Sequence, residues 1–238
     1  MSPRAIAKPV AVNRLLMRLP RADRQRFIAQ CDTIDVAISD VLCEPGDRVR
    51  YVYFPIDCFL SLITPVADRD GFEVGMVGSE GMQGISLTLG VSVAPQRVLV
   101  QGAGSTLRMN AATFRRELAR SAPLQRVLAR YLHVLMTQLA QTGACTRFHQ
   151  LEERLARWLL MTDDRAPGHH LRLTHEFLAY MLGMRRVGIT TAAGDLQKKK
   201  LISYVRGIIT ITDRTGLEDA SCECYRIDQD TYAEMLGA

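Results

Sequence analysis

Between residues 34 and 109 the apolar positions come in short runs closed by turn residues. Tyr51-Val52-Tyr53-Phe54 stops at Pro55, Phe59-Leu60-Ser61-Leu62-Ile63 stops at Thr64-Pro65, and Glu44-Pro45-Gly46-Asp47 and Asp68-Arg69-Asp70-Gly71 read as tight turns. Phe72, Val74 and Met76 alternate with Glu73, Gly75 and Val77, the period of two of a strand with one covered face. Short strands so spaced predict a β-roll or jelly roll. Asn110 then offers an N-cap for a short helix through Ala119, with Phe114 and Leu118 on one face.

The period changes at Pro123, where a long helix is predicted over 122–146. Leu124, Leu128, Tyr131, Leu135 and Leu139 recur at spacings of 4, 3, 4 and 4, joined by Val127 and Val134, an apolar stripe of heptad-like spacing. A stripe this long needs a cover, either the β-rich region or a second copy of the chain. The functional expectation is a homodimer seam through Leu124, Leu128, Tyr131, Leu135 and Leu139. Gly143 and Cys145-Thr146 interrupt the pattern. A further helix with Phe148, Leu151, Leu155 and Leu159 on one face is expected to end at Asp163-Asp164 and the Pro167-Gly168 turn.

The last third predicts a helix-turn-helix. Leu171-Arg172-Leu173 reads as a strand, Thr174 as an N-cap, and Phe177, Leu178, Met181 and Leu182 as the apolar face of a helix that Gly183 stops. A second helix from about Arg185 to Lys200 follows after a short connection. Leu201–Val205 and Ile208–Thr212, joined at Arg206-Gly207, read as a β-hairpin wing. The predicted architecture is α+β: a β-roll sensor domain over 1–121, a dimerisation helix over 122–146, and a winged helix-turn-helix over 147–238 with an acidic C-terminal tail.

Charge placement sharpens this. The 238 residues hold 30 Lys and Arg against 25 Asp and Glu, too even a balance to name a partner. Residues 165–214, however, carry nine basic residues against three acidic ones, and residues 215–238 carry one against six, so the basic segment has the electrostatic footprint for a polyanion. No apolar run reaches the roughly 18–20 residues of a membrane span, and Met1–Pro9 lacks the apolar core of a secretory signal. A cytoplasmic protein without membrane contact is expected. The six cysteines are then expected as reduced thiols, mostly filling the core.

The second helix of a helix-turn-helix enters the major groove by its N-terminal end. Arg185 and Arg186 occupy that end, and arginine fits a bidentate pair to guanine O6 and N7. Thr190 and Thr191 follow one turn later, within reach of a phosphate or a thymine methyl. Lys198, Lys199 and Lys200 suit the helix C-terminus and a phosphate backbone; a solvated charge run is the plain alternative for them. Thr174 and Arg206 complete the candidate DNA face.

Leu173-Thr174, the Leu182-Gly183 turn, the arginine pair, and Asp195-Leu196 followed by Leu201-Ile202 resemble the C-terminal module of the CRP/FNR superfamily of bacterial transcription regulators. The order of β-rich region, long helix and helix-turn-helix extends the resemblance over nearly the whole chain. It implies a cyclic-nucleotide-binding-type roll, a dimerisation helix, and Arg186 as a base-reading arginine. It implies double-stranded DNA and a second copy of the chain as partners, and leaves RNA polymerase open as a third. The family's acidic base-reader is replaced by Val187, and the arginine expected at Thr191 is absent.

The sensor half departs further. Family members that bind cyclic AMP carry Gly-Glu-x-x-Leu for the ribose and an Arg-Ser/Thr pair for the phosphate. The nearest stretch here is Gln83-Gly84-Ile85-Ser86-Leu87 with Arg97-Val98 downstream, so Gly84, Ser86 and Arg97 are the candidate effector residues and only Arg97 keeps its chemistry. Glu80 supplies the carboxylate if the register shifts by about four residues. An effector other than cyclic AMP is expected, its identity unread, and a structural ion pair is the plain alternative for Arg97.

No metal or cofactor is predicted. Cys31, Cys43 and Cys58 are too far apart for an iron–sulfur cluster, and Cys222-Glu223-Cys224 with His169-His170 lacks a second cysteine pair for zinc. His175-Glu176 falls short of a metal-binding helix signature. His133 and His149 read as interface or surface residues. Nor is an enzyme, since neither a Gly-rich phosphate loop nor a G-x-S-x-G elbow occurs. The reading reached is a homodimeric, sequence-specific DNA-binding transcription regulator; a DNA-independent sensor using the winged helix for protein contacts stays open.

Overall fold

The structure, a computed structural model, describes residues 12–66, 69–166 and 170–237. The Met1–Pro9 stretch, Asp68 of the expected tight turn, the Pro167-Gly168 turn and His169 lie outside the described residues.

A short helix α1 (Arg21–Ile28) leads into seven strands: β1 (Asp32–Val36), β2 (Val41–Cys43), β3 (Tyr51–Pro55), β4 (Phe59–Val66), β5 (Arg69–Val77), β6 (Arg97–Gly102) and β7 (Gly104–Asn110). They form two antiparallel sheets, in the orders β1-β7-β3 and β2-β6-β4-β5, the expected roll. Phe27, Phe54 and Phe114 fill one end, Phe27 edge-on to Phe54 at 5.3 Å, and Leu60, Leu62, Val98 and Val100 fill the other. Strand β5 departs from its one-sided pattern, because Glu73, Gly75 and Val77 are buried as well as Met76. Helices from the C-terminal half cover the face that alternation leaves to water.

Asn110 caps α2 (Ala111–Arg120) by accepting the Thr113 N–H at 2.9 Å. Ser121 likewise caps α3 (Ala122–Phe148), with Pro123 in the first turn, where its missing N–H is no loss. Helix α3 runs unbroken through Gly143 and Cys145-Thr146, longer than expected, so Phe148 ends it, 75% exposed, instead of facing the core from the next helix. That helix, α4 (Leu151–Asp163), starts from a Gln150–Glu153 capping box.

The expected dimer stripe is covered from within. Leu124, Leu128 and Tyr131 pack into the roll's aromatic end, Leu135 packs beside Leu60 and Leu62, and the half-buried Leu139 borders the same cluster. Leu124, Leu128, Tyr131 and Leu135 are therefore already buried against their own β-domain, which leaves the half-buried Leu139 as the one residue of the expected homodimer seam still partly open. The neighbouring face of α3, about a quarter-turn round the helix, carries a second heptad of Ala129, Leu132, Met136, Leu139 and Gly143, which shares Leu139 with the first and in which Ala129, Met136 and Gly143 are exposed and Leu132 is partly so.

The C-terminal part comprises β8 (His170–Arg172), α5 (His175–Leu182), α6 (Arg186–Lys198), β9 (Ile202–Val205), β10 (Ile208–Ile211), α7 (Arg214–Ala220) and α8 (Cys224–Leu236). The three strands pair as β8-β10-β9. Ile63 and Met76 of the roll join Leu155, Trp158 and Met181 in one core, so the two halves are packed together. The acidic segment is no loose tail: it folds as α7 and α8, and α8 returns along α3 to place Tyr232, Met235 and Leu236 against the roll.

Candidate nucleic-acid interface

Thr174 caps α5 by accepting the Phe177 N–H at 3.1 Å, and Gly183 ends that helix with φ +64°. The left-handed conformation is cheap only for glycine, and a Cβ there would also press on Phe72 of β5. The tight turn sets α6 across α5. Its inner residues Ile189, Ala192, Ala193 and Leu196 are buried, so its first turn must present Arg185, Arg186, Val187, Thr190 and Thr191 outward, all exposed.

Arg185 and Arg186 make no ion pair among the described residues. Thr190 and Thr191 return their hydroxyls to the carbonyls of Arg186 and Val187 at 3.0 and 3.2 Å. His175 braces this end: its Nδ1 lies 3.0 Å from Thr190 Oγ1 and its ring stacks on Tyr204 of β9 at 4.4 Å. Burial, with Arg186 nearby, holds the imidazole below its ordinary pKa, so at neutral pH it braces without adding charge. At the tip of the wing Arg206 and Gly207 have φ +50° and +79°, the two positive values of a tight I′ hairpin turn, and Arg206 is exposed.

The lysines serve otherwise. Lys198 pairs with Asp195 at 2.8 Å and Lys199 with Glu152 of α4 at 2.5 Å, so both are partly neutralised, and Lys199 tethers α6 to α4. Arg214 is drawn into a cluster with Asp163, Asp164 and Glu218. Arg185 and Arg186 at the start of α6 and Arg206 at the wing are thus exposed cations of this module with no ion pair among the described residues.

The expected effector residues are not assembled into one site. Gly84 and Ser86 border a space of about 60 Å³ between roll and α3, lined by Leu62, Met82, Val98 and Leu135, whereas small-molecule pockets are typically about 300–1,000 Å³. Arg97 is absent from that lining. It pairs with Glu44 at 2.9 Å and reaches Tyr180 of α5. Glu80 accepts from Arg165 at 2.7 Å at the far end of α4, so no shift of register brings it to the roll's interior. A roomier cleft of about 240 Å³, with Arg14, Glu80, Arg165 and Asp228 in its wall, opens instead where α8 meets the roll.

Burial pushes the Cys31 thiol up to about 12 and Cys58 to about 11, which leaves both protonated at neutral pH. Cys145, His149, Cys222 and Cys224 do converge. The sequence reading singles out Cys222-Glu223-Cys224 but sets it beside His169-His170, because the true other half lies 73 residues upstream and its one local signal is Cys145-x-x-x-His149, one helical turn.

A two-sheet roll, a long connecting helix and a winged helix-turn-helix define the class of two-domain CRP/FNR-type folds. Residues 153–220 match the Crp-like helix-turn-helix domain. No curated protein matches the chain by sequence. Among solved structures, FixK2 from Bradyrhizobium japonicum is 12% identical, with 81% of this chain and 98% of that one aligned at a TM-score of 0.69. The c-di-GMP responsive global regulator CLP of Xanthomonas campestris is 17% identical over 81% and 99%, at 0.66. A transcriptional regulator of the Crp/Fnr family from Eubacterium rectale is 18% identical over 87% and 96%, at 0.68. The chain thus carries a Crp-like helix-turn-helix domain within the full CRP/FNR-type fold. Among the described residues no helix is long and apolar enough to cross a membrane.

Proposed function

We propose that the protein is a sequence-specific DNA-binding transcription regulator that acts as a homodimer. The observation that carries this is the outward first turn of α6, where Arg185 and Arg186 stand exposed without counter-charges, flanked by Arg206 of the wing. Arg186 or Arg185 reads guanine by a bidentate pair, and the exposed Val187 supports contact with a thymine methyl where the family carries an acid. Thr174 and Arg206 face phosphates. Dimerisation places two such helices on half-sites about 34 Å apart, through the open heptad of α3 centred on Met136.

Selection of bound sequences from a random DNA pool, followed by anisotropy titrations at several salt concentrations, tests the reading. Wild type is expected to enrich a two-fold symmetric site and to bind it with a steep salt slope. Arg186→Ala and Arg185→Ala should each lose about 1–3 kcal/mol of preference for that site over random DNA. Failure to enrich any sequence, or variants that keep full preference, refutes the assignment.

The sensor signal is not a cyclic nucleotide on this reading. The roll's interior offers about 60 Å³ lined largely by apolar side chains, with Arg97 engaged outside it. A buried ribose hydroxyl or phosphate left unsatisfied costs roughly 1–3 kcal/mol each. Calorimetry with cyclic AMP and cyclic GMP should show no saturable heat at micromolar concentration. An isotherm abolished by Arg97→Ala would show that the roll opens to a pocket.

A further inference from the structure

At the C-terminal end of α3, far in sequence from the DNA-reading turn, three sulfurs and an imidazole face one another. Cys145 stands in the last turn of α3 and His149 follows as its C-cap, while Cys222 lies in the connection after α7 and Cys224 opens α8, with Glu223 between them. All four donor atoms lie within 4.8 Å of one another. Cys145 Sγ is 3.5 Å from Cys222 Sγ, and Cys224 Sγ is 3.4 Å from His149 Nδ1.

These separations select among the options for such a group. A disulfide needs sulfurs about 2.05 Å apart, and all three cysteines are free thiols. A single ion with bonds of about 2.3 Å to sulfur and 2.0–2.1 Å to imidazole puts tetrahedral donors about 3.5–3.8 Å apart, close to the separations present. A two-iron cluster spreads its four ligands around two metal atoms and needs a wider cage. Core filling accounts for the burial of the cysteines but not for an imidazole nitrogen turned onto them.

The surroundings are those of a ligand shell. His149 Nε2 lies 3.3 Å from the Glu223 carboxylate, an outer partner of the kind that fixes a ligating imidazole and raises its basicity. Gln141 donates to Cys224 Sγ at 3.0 Å. The buried Arg157, anchored on Thr142 at 3.2 Å and Asp228 at 2.6 Å, adds positive charge beside Cys145 and Cys224. Three thiolates and a neutral imidazole around a divalent ion leave one net negative charge, and the Arg157–Asp228 pair turns its cationic member toward it.

We infer that Cys145, His149, Cys222 and Cys224 form a closed, mononuclear site for a soft divalent cation, zinc being the metal that this donor set and tetrahedral spacing favour. With four protein ligands no position stays open for a substrate, so the site is structural. It staples the α7–α8 connection to the junction of α3 and α4, where the helix leaving the roll hands over to the DNA-binding module.

The full-length protein, purified under reducing conditions, is expected to carry one zinc per chain by elemental analysis. Replacement with cobalt should give thiolate charge-transfer bands and the intense visible bands of a tetrahedral ion. Stripping the metal from wild type with a chelator should expose three further thiols to a thiol reagent. Cys222→Ser should bind the ion far more weakly and Cys31→Ser should bind it as wild type does. The wild-type readings decide the matter even if Cys222→Ser fails to fold. A six-coordinate cobalt spectrum, acid-labile sulfide, a Cys145–Cys222 disulfide in reduced preparations, or no change in thiol reactivity on chelation would each overturn the site. None of these readings depends on DNA binding.

Discussion

Glu73 shows how a single side chain records the packing of a whole interface. The period of two in β5 sends it to solvent, yet it is buried, accepting from the Trp158 indole N–H of α4 at 2.8 Å, while its second oxygen has no hydrogen-bond partner. Burial pushes its carboxyl up to about 7, against the opposing pull of Ser61 and Trp158. Below the ordinary glutamate pKa both folded and unfolded chains hold the proton. Between there and about pH 7 only the folded chain holds it, so stability falls as pH rises through that window and levels off above it. The loss is of the order of 3 kcal/mol across the window. Glu73→Gln keeps the indole bond and removes the titration. Denaturant unfolding at pH 5 and pH 8 should find the variant more stable than wild type at pH 8 and nearly level with it at pH 5. Equal pH dependence in the two proteins would mean that another group controls it.

Helix α3 shows which features of an element are legible in one sequence. Its start, its length to within two residues and its apolar stripe follow from local rules, as do the Asn110 and Thr174 caps, the Gly183 stop and the wing. Which side of α3 meets the roll does not follow from them. Two heptad patterns are superimposed on the helix: Leu124, Leu128, Tyr131 and Leu135 are larger and more apolar, while Ala129, Leu132, Met136 and Gly143 are smaller and mixed with Arg130 and His133. The stronger stripe is claimed first, by the roll, because intramolecular burial does not carry the entropy cost of association. The small residues of the weaker one allow a second helix to approach closely. The two stripes make opposite predictions for adjacent substitutions. Leu135→Glu puts a charge among Leu60, Leu62 and Val100 and should destabilise the fold severely. Met136, 61% exposed, should tolerate Met136→Glu with an unchanged melting temperature for the monomer but a lost dimer. Sedimentation of both variants beside thermal melts separates the cases, and a Met136→Glu protein that stays dimeric would move the seam off α3.

At the scale of the whole molecule the domain boundary is the feature least visible in sequence, because the parts that cross it are far apart along the chain. Residues 165–214 read as a basic module and 215–238 as an acidic tail, but the two charge blocks are partly spent on each other and on the roll. Arg214 meets Glu218 of the acidic block, Asp228 meets Arg157 of α4, and Arg165 meets Glu80 of the roll, while the Tyr232 hydroxyl of α8 donates to the Glu80 carbonyl at 2.8 Å. Of these, Glu80–Arg165 joins the two halves most directly, with both side chains only 13% exposed. Burial alone would raise the Glu80 carboxyl, but the Arg165 guanidinium and the Gly78 N–H outweigh it and hold it below the ordinary range. The contribution of the pair is therefore complete at neutral pH and is lost only as pH falls below the usual carboxylate values. Removing either partner strands the other in a place that water reaches poorly, at a cost of about 3–5 kcal/mol, whereas replacing both by apolar groups of similar volume is often neutral. Glu80→Leu and Arg165→Met should each lower the melting temperature strongly and split unfolding into separate steps for roll and winged helix. The double variant should recover most of the loss. Purely additive single effects in that cycle would show that the ion pair does not couple the two halves.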